Sequence, residues 1–167
     1  MNELYEIVPI EGKGLGCIAL KKIKKGSLIL QEKPSCVANF DNCQSIINAF
    51  QCMTNNDQNE YLILHNRYEN FKEFDWIIDV QSEFEAKIVG IYKTNAFDKG
   101  VGIKSSRFNH NCSANAELIW NDLKELIEIR TVSKINAGEE ITVKYIQGYS
   151  KQSVNLIIIF AFNTAII

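Results

Sequence analysis

Arg107-Phe108-Asn109-His110-Asn111-Cys112-Ser113-Ala114-Asn115 is the stretch on which the reading of this chain turns. Between Ser106 and Ala116 it gathers three Asn, one of the chain's only two His and a Cys. Polar residues this dense do not build a core. They satisfy backbone groups in an irregular loop, or they bind a polar ligand. His110 alone reads as a structural hydrogen-bonding residue. His110 and Cys112 also lie too close in sequence for ready attack geometry as a nucleophilic pair. The cluster as a whole reads as a functional loop. Downstream, Gly138-Glu139-Glu140-Ile141-Thr142-Val143-Lys144-Tyr145 reads as a turn and a β-prone run ending in an aromatic.

Upstream, Leu4 to Ile10 is β-prone, and three glycines follow at every second position in Gly12-Lys13-Gly14-Leu15-Gly16. A strand-like run, Cys17 to Leu20, comes next. The glycines are therefore not a dinucleotide fingerprint, which needs a following helix, and no GxxxxGK[ST] is present. On its own this segment is a Gly-rich hairpin turn whose backbone can approach a ligand closely. Ser27 to Gln31 is a further strand. The middle changes period: helical spacing runs from Ser45 to Met53. Asn55 and Asn56 break it, and Asp57 is the expected cap of the next helix, through Tyr61, Leu62 and Leu64. Val80, Phe84, Ile88 and Ile91 form the apolar stripe of a third helix over Val80 to Lys93. Ala116 to Trp120 and Leu126 to Val132 flank an Asn121-Asp122 turn. Strands, helices and strands in that order give an α+β chain with a helical insert.

Composition sets the outer limits. The 167 residues fit one domain. The apolar fraction of 46% and charged fraction of 23% are globular values. A net charge of −2 lacks the basic excess of a duplex-DNA binder. The 24 isoleucines favour strands and name no function. The five cysteines form no CxxC, which excludes a zinc cage built from local pairs. Cys36, Cys43 and Cys52 read as buried small hydrophobes. The chain opens without a signal-peptide pattern, and the apolar run Val154 to Ile167, at 14 residues, is short for a membrane span. A reducing intracellular compartment, nucleus or cytoplasm, is the expectation, with no membrane and no direct nucleic-acid partner, and a monomer favoured.

Taken together and in order, these segments resemble the SET domain family of protein lysine methyltransferases. Gly12 to Ala19 with Ile23 to Ile29 looks like the family's first motif and strand pair. Arg107 to Asn115 is similar to its R-F-x-N-H-S-C-x-P-N core, and Gly138 to Tyr145 to its G-E-E-[IL]-T-[IV]-x-Y motif. Asn95-Ala96-Phe97 resembles the N-[AS]-F segment of the inserted-helix branch, which includes SET–MYND and small fungal proteins. The resemblance implies a β-clip-type fold of small curved sheets with a knot-like C-terminal arrangement. It implies a SET domain over 3–149, with the insert at about 41–94, and a degenerate or truncated post-SET tail over 150–167.

It also implies S-adenosylmethionine as cofactor and a lysine-bearing protein or peptide as partner. Lys13, Gly14, Leu15 and Gly16 would lie along the methionine part of the cofactor. Asn109 would bind through its side chain and His110 largely through its backbone. Asn95 matches a further cofactor-binding Asn. Tyr145 matches the catalytic tyrosine, and Tyr92, Phe160 and Phe162 would line the substrate channel. The pattern departs at Asn111 for Ser, Ala114 for Pro and Lys144 for Asp. Ala161-Phe162 stands where Gly-Phe would precede the post-SET cysteines, and no cysteine follows. Cys112 alone makes no four-ligand zinc site, so no metal is expected. Two other readings share the fold: a module that binds cofactor or peptide without methyl transfer, and an interaction domain without cofactor.

Overall fold

The computed structural model describes residues 3–69 and 79–145. They divide into two compact units. The first comprises the described residues up to Ile29, Arg107–Ile119, and those from Ile129 onward. The second comprises Leu30–Ser106 and Trp120–Glu128.

In the first unit, β1 (Tyr5–Ile10) and β2 (Gly14–Ala19) form an antiparallel hairpin in register Ile10↔Gly14. The turn closes with Lys13 N–H donating to Ile10 O at 3.0 Å. Gly12 takes φ 71°, a left-handed value that a side chain would oppose. The glycines at 14 and 16 are thus strand residues rather than loop. The short strand β8 (Glu140–Ile141) adds to the other edge of β2, pairing Cys17↔Ile141 and Ile18↔Glu140.

The β-prone run Ile141–Tyr145 does not continue as a strand. After Ile141 the chain takes the asparagine loop as its partner. Val143 N–H donates to Asn109 O at 3.0 Å, and Asn111 N–H donates to Val143 O at 3.1 Å. Thr142 N–H donates to Asn115 Oδ1 at 2.9 Å. Every one of these backbone groups is satisfied, but not by a sheet. Buried Cys17, Ala19, Phe108, Ile129, Ile135, Ile141 and Val143 supply this unit's apolar interior.

The second unit holds three helices. α1 (Cys43–Gln51) is capped by Asn42, whose side chain accepts from Ser45 N–H. α2 (Asn55–Leu62) is capped by Thr54, so Asn55 and Asn56 begin the helix rather than break it. Asp57 is not the cap; its carboxylate accepts from Thr54 Oγ1 while its N–H donates back to that oxygen, a reciprocal cap. α3 (Glu83–Asn95) starts at the Ser82 cap. Its buried residues are Ile88, Val89, Gly90, Ile91 and Tyr92, while Phe84 is exposed with its ring edge-on to Phe50.

One apolar cluster joins these helices to Cys36, Val101 and Ile103. Each fully buried Ile in it is worth about 1.5–3 kcal/mol against exposure. Tyr61 is fully buried there with its hydroxyl donating to Ile88 O at 2.9 Å. Cys36 and Cys43 are buried, but Cys52 is exposed. It is the C-cap of α1, past the 43–46–47–50 stripe that faces the core. The two-residue strands β4 (Cys36–Val37) and β5 (Gly100–Val101) pair antiparallel. A further sheet has the order β3 (Leu28–Glu32), β7 (Leu126–Thr131), β6 (Ala116–Asn121).

Candidate active site

The first unit brings the glycine hairpin, the asparagine loop and Tyr145 into direct contact. The approach is closest at Gly16, which is buried. A Cβ there would fall 2.6 Å from Asn109 Nδ2, 2.6 Å from Ile10 Cγ1 and 3.1 Å from Glu140 Oε1. Asn109 Nδ2 donates to Leu15 O at 3.2 Å and to Glu140 Oε1 at 2.8 Å. The other oxygen of Glu140 pairs with Lys13 Nζ at 2.7 Å. Backbone of the hairpin, one carboxamide, one carboxylate and one ammonium therefore share a single locus.

His110 faces Tyr145. Its Nδ1 accepts from Tyr145 N–H at 3.1 Å, and the two rings lie 5.3 Å apart. A backbone N–H only donates, so Nδ1 carries no proton, and in the neutral ring the proton sits on Nε2. Nε2 lies 3.4 Å from Cys112 Sγ. Burial first, and the Lys144 charge second, lower the basicity of His110 and favour this neutral form.

Tyr145 is 57% exposed, yet its hydroxyl turns inward and donates to Phe108 O at 3.1 Å. Withdrawal of that end from water, reinforced by the charge of Glu140, pushes the phenol up to about 12. Beneath it Cys17 Sγ reaches Arg107 O at 3.6 Å. Burial pushes that thiol up to about 12 as well, which makes it an inert packing group.

The three asparagines of the loop have separate tasks. Asn109 faces the hairpin. Asn115 ties the loop to the following motif, accepting from Thr142 N–H and donating to Glu140 O at 2.8 Å. Asn111 makes a local turn by accepting from Ser113 N–H at 2.8 Å.

Asn95 and Tyr92 belong to the second unit. Asn95 Nδ2 donates to Ile91 O and His65 O, both at 2.8 Å, at the end of α3. Tyr92 is 1% exposed, and its hydroxyl donates to Ala38 O at 2.8 Å and accepts from Ala38 N–H at 3.1 Å. These are the contacts of a core residue. Phe160, Phe162 and the 150–167 tail lie outside the described residues.

Sequence reasoning missed Glu140. The signal was present in Glu139-Glu140-Ile141: Ile141 is a buried strand residue, so its neighbour's side chain points to the other face. Among the described residues no group of three or more His, Cys, Asp or Glu is placed to hold a metal ion. No described helix is long and apolar enough to cross a membrane.

A model of the SET domain matches residues 14–146. Over 145 residues the chain is 32% identical to histone-lysine N-methyltransferase set5 of Schizosaccharomyces pombe. That match covers 87% of this chain and 43% of the relative. It is 27% identical over 176 residues to L678 of Acanthamoeba polyphaga mimivirus, an inferred SET domain-containing protein, covering 87% of this chain and 68% of that one. A solved Plasmodium falciparum structure, described as a candidate histone methyltransferase, is 16% identical. It aligns over 91% of this chain and 99% of its own at a TM-score of 0.45. The second strand of the glycine hairpin, the asparagine loop and Tyr145 fall within the matched span, while β1 and the Gly12-Lys13 turn precede it. The chain belongs to the SET domain family. It spans less than half the length of the fission-yeast relative.

Proposed function

We propose that this chain binds S-adenosylmethionine and methylates a protein lysine side chain. The observation that carries the reading is the convergence at one locus of groups distant in sequence. Asn109 meets Leu15 across 94 positions, and Tyr145 meets His110 and Phe108 across 35 and 37.

The groups present fit the cofactor. Leu15 O, Phe108 O and the Tyr145 oxygen are acceptors suited to a cation. The carboxylate of Glu140 and the ammonium of Lys13 match the two charges of an amino-acid end. The absence of a side chain at Gly16 lets the Asn109 carboxamide and the Glu140 carboxylate pack directly against hairpin backbone. Leu15 and Gly16 would lie along the methionine portion, with Asn109 and His110 beside its amino group and base. Bound S-adenosylmethionine supplies a methyl group on a sulfonium cation.

The chain's own contribution is orientation and electrostatics. Tyr145 stays a neutral phenol throughout the physiological range, because its ionisation is pushed up to about 12. Its proton is committed to Phe108 O, so its oxygen lone pairs are left to accept an N–H from a lysine amine. That amine must arrive uncharged, having lost its proton to solvent. Rate enhancement then comes from alignment rather than from a protein nucleophile. The fission-yeast relative is a histone-lysine N-methyltransferase; a histone lysine is accordingly the first substrate to try, with the nucleus or cytoplasm as the place.

Titration calorimetry with S-adenosylmethionine tests the reading. Binding is expected, with Asn109→Ala weakening it by about tenfold or more and His65→Ala leaving it unchanged. His65 is exposed, and the contact it makes to Asn95 uses its backbone oxygen. No heat from the wild-type chain, or equal effects of the two substitutions, would overturn the assignment.

A further inference from the structure

Glu140 stands at the centre of the locus and is held there by its backbone. It pairs with Ile18 in the sheet, and its carbonyl accepts from Asn115 Nδ2 at 2.8 Å. Its carboxylate spans two side chains, Asn109 through Oε1 and Lys13 through Oε2.

The chemistry of these partners fixes how Asn109 is turned. Leu15 O is an acceptor only, and an ionised carboxylate is an acceptor only. Both face the same end of the Asn109 carboxamide, at 3.2 and 2.8 Å. That end must be the NH2. The flipped amide would set oxygen against two oxygens, one of them charged. The carbonyl Oδ1 is thereby directed away from both and is the end presented to a ligand. An outward carbonyl accepts from an ammonium; an outward NH2 would repel one.

We propose that Glu140 is a positioning residue for cofactor binding. By accepting from Asn109 Nδ2 it sets the Asn109 oxygen outward for the α-ammonium of an amino-acid-bearing cofactor. By pairing with Lys13 it keeps a cation beside the glycine hairpin for the α-carboxylate. The proposal rests on the S-adenosylmethionine reading above. It adds that recognition of the zwitterionic end depends on a carboxylate that need not touch the ligand.

The test compares Glu140→Gln and Glu140→Ala in the full chain, with Leu123→Ser as a control at a fully exposed side chain. Three readouts are used: calorimetry with S-adenosylmethionine, methyl-transfer kinetics, and the side-chain NH2 signals of 15N-labelled asparagine in the ligand-free protein. Glu140→Ala is expected to weaken binding by about tenfold to a hundredfold, as loss of a charge-assisted hydrogen bond does. Glu140→Gln keeps an acceptor and should fall between. The loss should appear in KM for the cofactor, with kcat at saturation within about twofold. The Asn109 NH2 signals should move in Glu140→Ala before any ligand is added.

Wild-type binding with unchanged affinity in both variants would overturn the proposal and leave the functional reading standing. No binding by wild type removes both. Should Glu140→Ala fail to fold, a cycle of Lys13→Met with Glu140→Gln decides. Non-additive losses support the coupling, and strictly additive ones overturn it.

Discussion

Replacing Gly16 by Ala separates the site from the fold more cleanly than any other single change. The backbone at Gly16 does not adopt a left-handed conformation, so the new methyl adds no backbone strain. What it adds is volume. Its carbon would sit 2.6 Å from both Asn109 Nδ2 and Ile10 Cγ1, whereas apolar carbons settle at about 3.5–4.0 Å. Each neighbour must therefore give by about 1 Å. Both clashing atoms are side-chain atoms, and Ile10 is only half-buried. The overpacking cost then falls near the lower end of the usual range, about 1 kcal/mol. For a chain of this size that lowers Tm by about 2–4 °C.

The functional cost is larger, because the displaced atom is the one bonded to Leu15 O and Glu140. A shift of that size breaks a charge-assisted hydrogen bond worth about 1.5–3 kcal/mol, or tenfold to a hundredfold in affinity. Gly12→Ala is the mirror case. Nothing lies within 4 Å of its would-be Cβ, but its φ of 71° penalises any side chain. Stability should fall by about 1 kcal/mol with little change in binding. Thermal denaturation and calorimetry with S-adenosylmethionine on both variants give the answer. Gly16→Ala binding as tightly as wild type, or both variants losing affinity in proportion to Tm, would refute the reasoning.

Two further outcomes concern the tyrosine. With its phenol pushed up to about 12, Tyr145 is only about one percent ionised at pH 10. Methyl transfer should therefore rise with pH as the lysine substrate, of ordinary pKa about 10.4, loses its proton. A descending limb between pH 8.5 and 10 in a rate profile, with the protein still folded, would contradict this. At His110, Asn offers an oxygen acceptor near the position of Nδ1, while Ala offers none. His110→Asn should retain most of the wild-type kcat, and His110→Ala should lose about tenfold as the bond to Tyr145 N–H disappears. Equal kcat values in the two variants would show that the acceptor is unimportant.

Much of the fold was legible because its signals are local. The hairpin follows from glycines between two β-prone runs, and the helices from their apolar spacing. The Asn-rich loop was recognisable as functional because its residues could not form a core. What escaped depends on partners distant in the chain. Ile141–Tyr145 has strand propensity, but Thr142 and Val143 satisfy their backbone groups with Asn109, Asn111 and Asn115 instead. Thr54 rather than Asp57 caps α2, a contest between two adequate caps that only backbone geometry decides. Cys52 looked like its two buried neighbours until the end of α1 placed it off the apolar stripe. Glu140 reads only as part of the turn and β-prone run Gly138 to Tyr145. The local alternation with Ile141 sets only the face it takes; its role depends on Lys13 and Asn109, 127 and 31 positions away.

The central claim is methyl transfer at the locus built around Tyr145. The most direct measurement is incorporation of labelled methyl from S-adenosylmethionine into lysine of a histone mixture and a cell lysate, wild type against Tyr145→Phe. The phenol's bond to Phe108 O goes with its oxygen, while the Asn109 contacts to Leu15 and Glu140 do not involve it. The variant should still bind cofactor, with one acceptor for its cation lost, yet drop to background. Wild-type labelling of lysine that disappears in Tyr145→Phe is the predicted result. Identical signals from the two proteins would contradict the account.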